Sequence, residues 1–271
     1  TNATVEGTLA IPAGVTIKSN GYTINGSIRM LGDLTLNGAL TITGGLWVGK
    51  SGETLTATLS GDKLTASYFM FQRGIYTINA DIDAVYGYLS FEGAFEVNST
   101  IHTTGANGEV LYINGNVTLN NDAVLDSDNS VFICNDNAVL TMKPGSMVDS
   151  KINITTSGAK LYIDATGMNA GDIADITGTV TNSGNGTIAV VGNDDLEAKI
   201  ENGKIVYKLP TADKFEAPEG YGFAGWKLEG EDFIYSAESE IFADAEHLST
   251  FVLVAEWAEL VGEGSREFEE G

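Results

Sequence analysis

The stretch Gly32-Asp-Leu-Thr-Leu-Asn-Gly-Ala-Leu-Thr-Ile42 decides the fold. It holds two short phrases of one kind, each a glycine turn followed by apolar residues alternating with other residues. In an extended chain, side chains two apart point to the same face, so Leu34 and Leu36 line one side of a strand, as do Leu40 and Ile42. The phrase recurs at Gly7-Thr-Leu-Ala-Ile11, Gly14-Val-Thr-Ile17, Gly26-Ser-Ile-Arg-Met30 and Gly115-Asn-Val-Thr-Leu119. A strand this short cannot cover its own apolar face. Many of them stacked coil upon coil can, and recurrence down residues 1–190 predicts a solenoid.

The phrase is densest over 1–60, where Asn20-Gly21, Asn25-Gly26 and Asn37-Gly38 suit tight turns with positive φ. It resumes over 110–190, at Leu111-Tyr-Ile113, Val131-Phe-Ile133, Val139-Leu-Thr-Met142, Ile152-Asn-Ile154 and Leu161-Tyr-Ile163. A coil of a parallel β-helix takes roughly 20 residues and adds ~4.8 Å, so about eight coils are expected. Between these two runs the glycine phrase fades and aromatics crowd in: Tyr68, Phe69, Phe71, Tyr76, Tyr86, Tyr88, Phe91 and Phe95. As structure, this band predicts aromatic stacks in a widened coil or insertion. As function, it is the best lateral platform for a ligand, with Tyr86, Tyr88 and Phe91 the candidate binding residues.

The chain has 271 residues and a net charge of −23, with only 14 Lys and Arg. A nucleic-acid binder needs a basic stripe to neutralise phosphates, so DNA and RNA are excluded as partners. No run approaches the roughly 18 apolar residues of a membrane span, which excludes insertion by this sequence. The opening Thr1-Asn-Ala-Thr-Val5 has no leader character, as expected of a chain whose signal peptide is gone. Cys134 is alone and forms no internal disulfide, which suits either the cytosol or a secreted rod.

Charge and composition shift near residue 195, from Asp and Asn to Glu. The expected division is a β-helix over 1–195, a small module over 196–258, and an acidic flexible tail over 259–271. Residues 196–208 read as a hairpin turning at Asn202-Gly203. Tyr221, Phe223 and Trp226 are too aromatic to be left in water. Tyr221 and Phe223 are expected on one strand face, with Gly225 bending the chain so that Trp226 caps the nucleus.

The segment 209–258 resembles the Listeria–Bacteroides repeat, also called the internalin B-repeat. The resemblance rests on Pro218, the Gly-Tyr-x-Phe-x-Gly-Trp core at Gly220, Tyr221, Phe223, Gly225 and Trp226, and the closing Ala255 and Trp257. Two features depart from it: the opening Asn-Gly-Gly turn is missing, and the stretch between Ile241 and Trp257 is long, with Ala245-Glu-His-Leu248 a possible short helix. The resemblance implies a β-grasp-like module of bacterial secreted and surface proteins. The phrases Gly7–Ile17 and Gly21-Tyr-Thr-Ile-Asn-Gly26 are similar to repeats of large β-helical surface proteins. That similarity implies the pectin-lyase-like fold and extracellular display, and no catalytic residues.

Enzymes on β-helices place acids on neighbouring coils, or hold calcium beside a base. Asp81 and Asp83 are two apart, as are Asp126 and Asp128, and each pair is expected on one strand face; turn acids facing solvent are the ordinary alternative. Bases are scarce: Arg73 is the only Arg between residues 30 and 265. Asp122, Asp126, Asp128, Asn129 and Asp136 offer oxygen ligands suited to calcium, yet their spacing fits neither an EF-hand nor a calcium β-roll. Two His, 145 residues apart, and one Cys make a poor tetrahedral set, so zinc and His-based nucleophilic catalysis are disfavoured, and His102 and His247 read as ordinary surface or ladder residues.

The expectation is therefore an all-β chain: a right-handed parallel β-helix solenoid followed by a β-grasp-like module. Its expected role is that of a non-catalytic secreted or cell-surface bacterial protein, an adhesin or display domain for carbohydrate or a host surface protein. No catalytic residue, metal or cofactor is assigned. The competing classes are a polysaccharide lyase or hydrolase and a passive stalk. Two carboxylates facing one groove on adjacent coils would favour the enzyme.

Overall fold

The computed structural model of the chain describes residues 2–19, 21–90, 92–164, 166, 174–191, 197–201, 204–212, 216–228, 232–244 and 253–259. The protein is all-β. Among the described residues the only helical piece is a single 3-10 turn, Ala106–Gly108. No helix among them is long and apolar enough to cross a membrane.

Parallel strands stack into a solenoid of about eight turns with three faces. One face is a nine-stranded parallel sheet running from Val15–Lys18 to Thr187–Val191. The other two faces share a fourteen-stranded sheet. They are joined by long strands such as Leu64–Phe71 and Ile82–Leu89, and separate in the following coils. Thus Ile82, Asp83 and Ala84 pair with Ile101, His102 and Thr103 on the first face. Gly87, Tyr88 and Leu89 pair with Leu111, Tyr112 and Ile113 on the second. At each such corner the in–out alternation skips a beat: Val85 and Tyr86 are both partly exposed between the buried Ala84 and Gly87.

Alternation makes the core. Leu34, Leu59, Ile78, Val97, Leu119, Met142 and Ile163 are successive register partners along the third face, all buried. Each apolar side chain packs on its counterpart one coil above and below, so the short strands bury together what none could bury alone. One inner corner is polar. Thr103 Oγ1 donates to Ser127 Oγ at 2.9 Å, and Ser150 Oγ donates to the Ser127 carbonyl at 2.8 Å. These three buried hydroxyls are tolerated because each finds a partner. On an outer corner, Asn79, Asn98 and Asn120 form an amide ladder, with Asn98 Nδ2 donating to Asn79 Oδ1 and Asn120 Nδ2 to Asn98 Oδ1, each at 2.7 Å.

The aromatic band at 68–95 is neither an insertion nor a break in the repeat. Its strands stay in register with both neighbouring coils, residue for residue from Ile82↔Leu64 to Leu89↔Phe71. Strand parity sorts its aromatics into two sets. Phe69, Phe71, Tyr76 and Phe95 point inward and are fully buried, with Tyr76 and Phe95 stacked at 5.3 Å. Tyr68, Tyr86 and Tyr88 point outward. The bulky inner rings are accommodated by a missing side chain: a Cβ on Gly87 would stand 2.0 Å from the Phe69 ring.

Pairing changes from parallel, through Val191, to antiparallel, from Glu197. Glu197–Glu201 and Lys204–Lys208 pair as a hairpin with Glu201 opposite Lys204; Asn202 and Gly203 lie outside the described residues, as do 245–250 and 260–271. The hairpin extends to Glu240–Asp244 as a three-stranded sheet, and a second three-stranded sheet orders Ile234–Tyr235, Tyr221–Leu228 and Leu253–Glu259.

In that second sheet Phe223 faces Trp257 while Gly225 faces Glu256, so one extra residue bulges out of the strand. The bulge inverts the parity, which brings Phe223 and Trp226, three apart, to a ring contact of 5.2 Å. Gly225 is required there: its φ is +151°, and a Cβ would meet Ile234 and the Tyr235 carbonyl at 2.4 and 2.5 Å. Trp226 is 3% exposed and its Nε1 donates to the Pro210 carbonyl at 2.7 Å. Tyr221, expected in the same nucleus, is instead 42% exposed at the start of the strand.

Candidate functional site

Two outer faces carry continuous side-chain ladders. On the second face, Trp47, Met70, Tyr88, Tyr112 and Phe132 are successive register partners over five strands. Tyr68 and Tyr86 form a parallel column beside them at the corner. Tyr88 and Tyr112 stack at 4.5 Å with planes 6° apart, and Tyr68 and Tyr86 stack at 5.3 Å. Tyr86 and Tyr88 link the columns edge to face at 6.0 Å. Trp47 touches Tyr68 at 5.7 Å and carries the Arg29 guanidinium 5.3 Å from its ring centroid. All are partly exposed. Partial burial pushes the Tyr86 and Tyr88 phenols above their usual pKa, helped by the nearby Glu109 charge, so their hydroxyls stay protonated donors.

Rings stacked along the solenoid axis cover each other's faces and turn edges and hydroxyls outward. This surface is therefore less a set of open ring faces than a strip of apolar edges and phenolic donors. Of the residues singled out from sequence, Tyr86 and Tyr88 sit in the strip; Phe91 lies outside the described residues. Trp47, Tyr112 and Phe132 were not singled out. The missed signal is the phrase apolar-aromatic-apolar at coil spacing: Leu46-Trp-Val48, Leu111-Tyr-Ile113, Val131-Phe-Ile133.

On the first face Asp83, His102, Asp126 and Asp149 are consecutive register partners. Lys63 Nζ holds Asp83 Oδ2 at 2.8 Å, and Asp83 Oδ1 accepts from His102 Nδ1 at 2.8 Å. That bond fixes the imidazole with Nε2 facing Asp126 Oδ2 at 3.8 Å and Asp128 Oδ1 at 3.6 Å. Burial raises the Asp83 pKa, but hydrogen bonds and charge from Lys63 and His102 outweigh it, and the carboxyl sits below its usual range. Burial and the charges of Asp149, Asp128 and Asp83 hold Asp126 above its usual range despite the opposing pull of His102. For His102, burial is outweighed by the Asp83 bond and the charges of Asp126 and Asp83, and the imidazolium is favoured.

The acids paired from sequence are sorted differently in space. Asp81 precedes its strand and accepts from the Thr100 N–H at 3.0 Å, leaving Asp83 alone on the ladder. The five-residue calcium set is dispersed. Asp122 accepts from Asn121, Asn129 donates to the Glu109 carbonyl, and Asp136 accepts from the Gly158 N–H. Asp126 and Asp128 converge instead on His102, a ladder residue as expected, but one with ligand atoms within 4.8 Å of both carboxylates. His247 lies outside the described residues. A shallow groove of about 270 Å³ between Ile75, Glu92, Asn116 and Asn137 holds no comparable group of acids and bases.

The protein is a β-solenoid that carries two side-chain ladders on its outer faces. No protein-family model, curated protein or solved structure matches the chain.

Proposed function

We propose that this is a non-catalytic secreted or cell-surface bacterial protein whose solenoid binds an extended glycan along the tyrosine strip. The observation that carries the reading is the in-register run Trp47, Met70, Tyr88, Tyr112 and Phe132, flanked by Tyr68 and Tyr86. Its rungs repeat every ~4.8 Å, a spacing comparable to one pyranose unit of an extended chain. Outward phenols can bond sugar hydroxyls while ring edges cover the apolar C–H surface. The net charge of −23 speaks for neutral or cationic polymers over acidic ones. The resemblance of 209–258 to the Listeria–Bacteroides repeat supports surface display.

Affinity electrophoresis against neutral polysaccharides, beside an array of glycans and matrix proteins, tests this. Binding is expected to fall at least tenfold in Tyr88→Ala and Tyr112→Ala and to persist in Asp81→Asn. Equal binding by wild type and both tyrosine variants, or binding to proteins alone, refutes it.

One observation favours a second reading, glycoside hydrolysis. Asp126 and Asp149 are direct register partners on adjacent coils, ~4.8 Å apart at the backbone, close to the spacing of a retaining carboxylate pair. Asp149, however, already accepts from Thr177 Oγ1. No turnover is expected on pectins, glucans or chitin, with or without calcium. Cleavage abolished by Asp126→Asn would replace the binding reading with this one.

A further inference from the structure

We propose that His102, Asp126 and Asp128 form a site for one divalent transition-series cation of the zinc class. Three features carry it together. First, the three ligand atoms lie within 4.8 Å of one another and come from two consecutive coils. Second, Nε2 stands 3.6 and 3.8 Å from the two carboxylate oxygens, within ion-pair reach of the protonated imidazole. Two metal–ligand bonds of about 2.1 Å opened to a wide angle span the same gap, so a cation can take the place of the Nε2 proton with little movement of the ligands. Third, the imidazole is oriented from behind. Asp83 accepts from Nδ1 and is itself anchored by Lys63, the carboxylate–histidine–metal arrangement that fixes the tautomer and raises ligand basicity. Asp83 and Lys63 stand outside the ligand trio and hold its imidazole from the Nδ1 side.

The donor set selects the metal. One imidazole nitrogen with two carboxylates suits zinc, manganese or nickel, whereas calcium and magnesium take all-oxygen shells. Three protein ligands leave a fourth position for water. The consequence is mechanical: ligand coils and the coil that orients them are consecutive, so the ion would tie three turns of the solenoid together. Two distant His and one Cys make a poor tetrahedral set along the chain, but one His with two Asp needs no second His or Cys. Here the neighbours are one coil apart. The site lies on a different face from the tyrosine strip, so either proposal can fail without the other.

The test is isothermal titration of the full chain, stripped with chelator, with ZnCl2 and separately with CaCl2, read beside thermal melts. One Zn2+ per chain is expected, with a melting temperature several degrees higher and little response to Ca2+. Asp128→Asn is the cleaner variant, since that side chain is 62% exposed and its replacement is expected to leave the fold intact; His102→Gln is the second. Each is expected to weaken Zn2+ binding at least tenfold, while Asp122→Asn changes nothing. No Zn2+ binding by the wild type, undiminished binding in either site variant, or a preference for Ca2+ overturns the assignment.

Discussion

Phe95→Ala and Tyr88→Ala form a matched pair from one aromatic-rich stretch, and the register makes opposite claims about them. Phe95 is 1% exposed, stacks on Tyr76 at 5.3 Å and meets Phe71 edge-on at 5.7 Å. The backbone is already drawn tight around its ring: a Cβ on Gly93 would stand 2.5 Å from it. Truncation removes the ring from a cage that cannot close over the void, which costs about 3–5 kcal/mol. At roughly 2–4 °C per kcal/mol for a domain of this size, the solenoid should melt about 10 °C lower. Tyr88 points outward and loses one stacked partner, Tyr112, worth about 0.5–1.5 kcal/mol, with some partial burial besides. Its melt should move by only a few degrees. Differential scanning calorimetry of the wild type and both variants at matched concentration reads the contrast. Equal destabilisation, or the larger loss in Tyr88→Ala, would show that the in–out assignment across this stretch is reversed and would remove the tyrosine strip with it.

Other consequences are as direct. Gly87→Val should lower the melting temperature by more than Tyr88→Ala does, because the new side chain drives into the Phe69 ring; an unchanged melt would mean the two strands are not in that register. Trp226→Ala should cost about 3–5 kcal/mol, most of what a module of some 60 residues has, so a separate C-terminal transition should vanish while the solenoid melt stays; a single transition shifted as a whole refutes that modularity. Burial pushes the Tyr76 phenol up to about 12, so between about pH 10 and 12 the unfolded chain ionises first and stability falls by up to about 2–3 kcal/mol. Tyr76→Phe should flatten that alkaline decline, checked by urea unfolding at pH 9 and 11; identical slopes would contradict it.

Residue order alone determined that this chain is a solenoid. The glycine phrase and period-two alternation specify strands too short to stand alone, and only stacking buries their apolar faces. The hairpin of 196–208 was legible for the same local reason, as two alternating segments two residues apart. What sequence did not reveal is which residues meet across coils, because coil length varies: register partners on one face stand 19, 24 and 23 positions apart from Asp83 to His102, Asp126 and Asp149. Hence Asp81 was paired with Asp83 by proximity along the chain, whereas the folded neighbour of Asp83 is His102. Parity was also hidden at the corners and at the Gly225 bulge, where one uncounted residue moves every following side chain to the other face. The local pattern depends on the backbone's two-residue repeat, which the chain carries everywhere. The sites depend on register between coils, which only the closed tertiary structure sets.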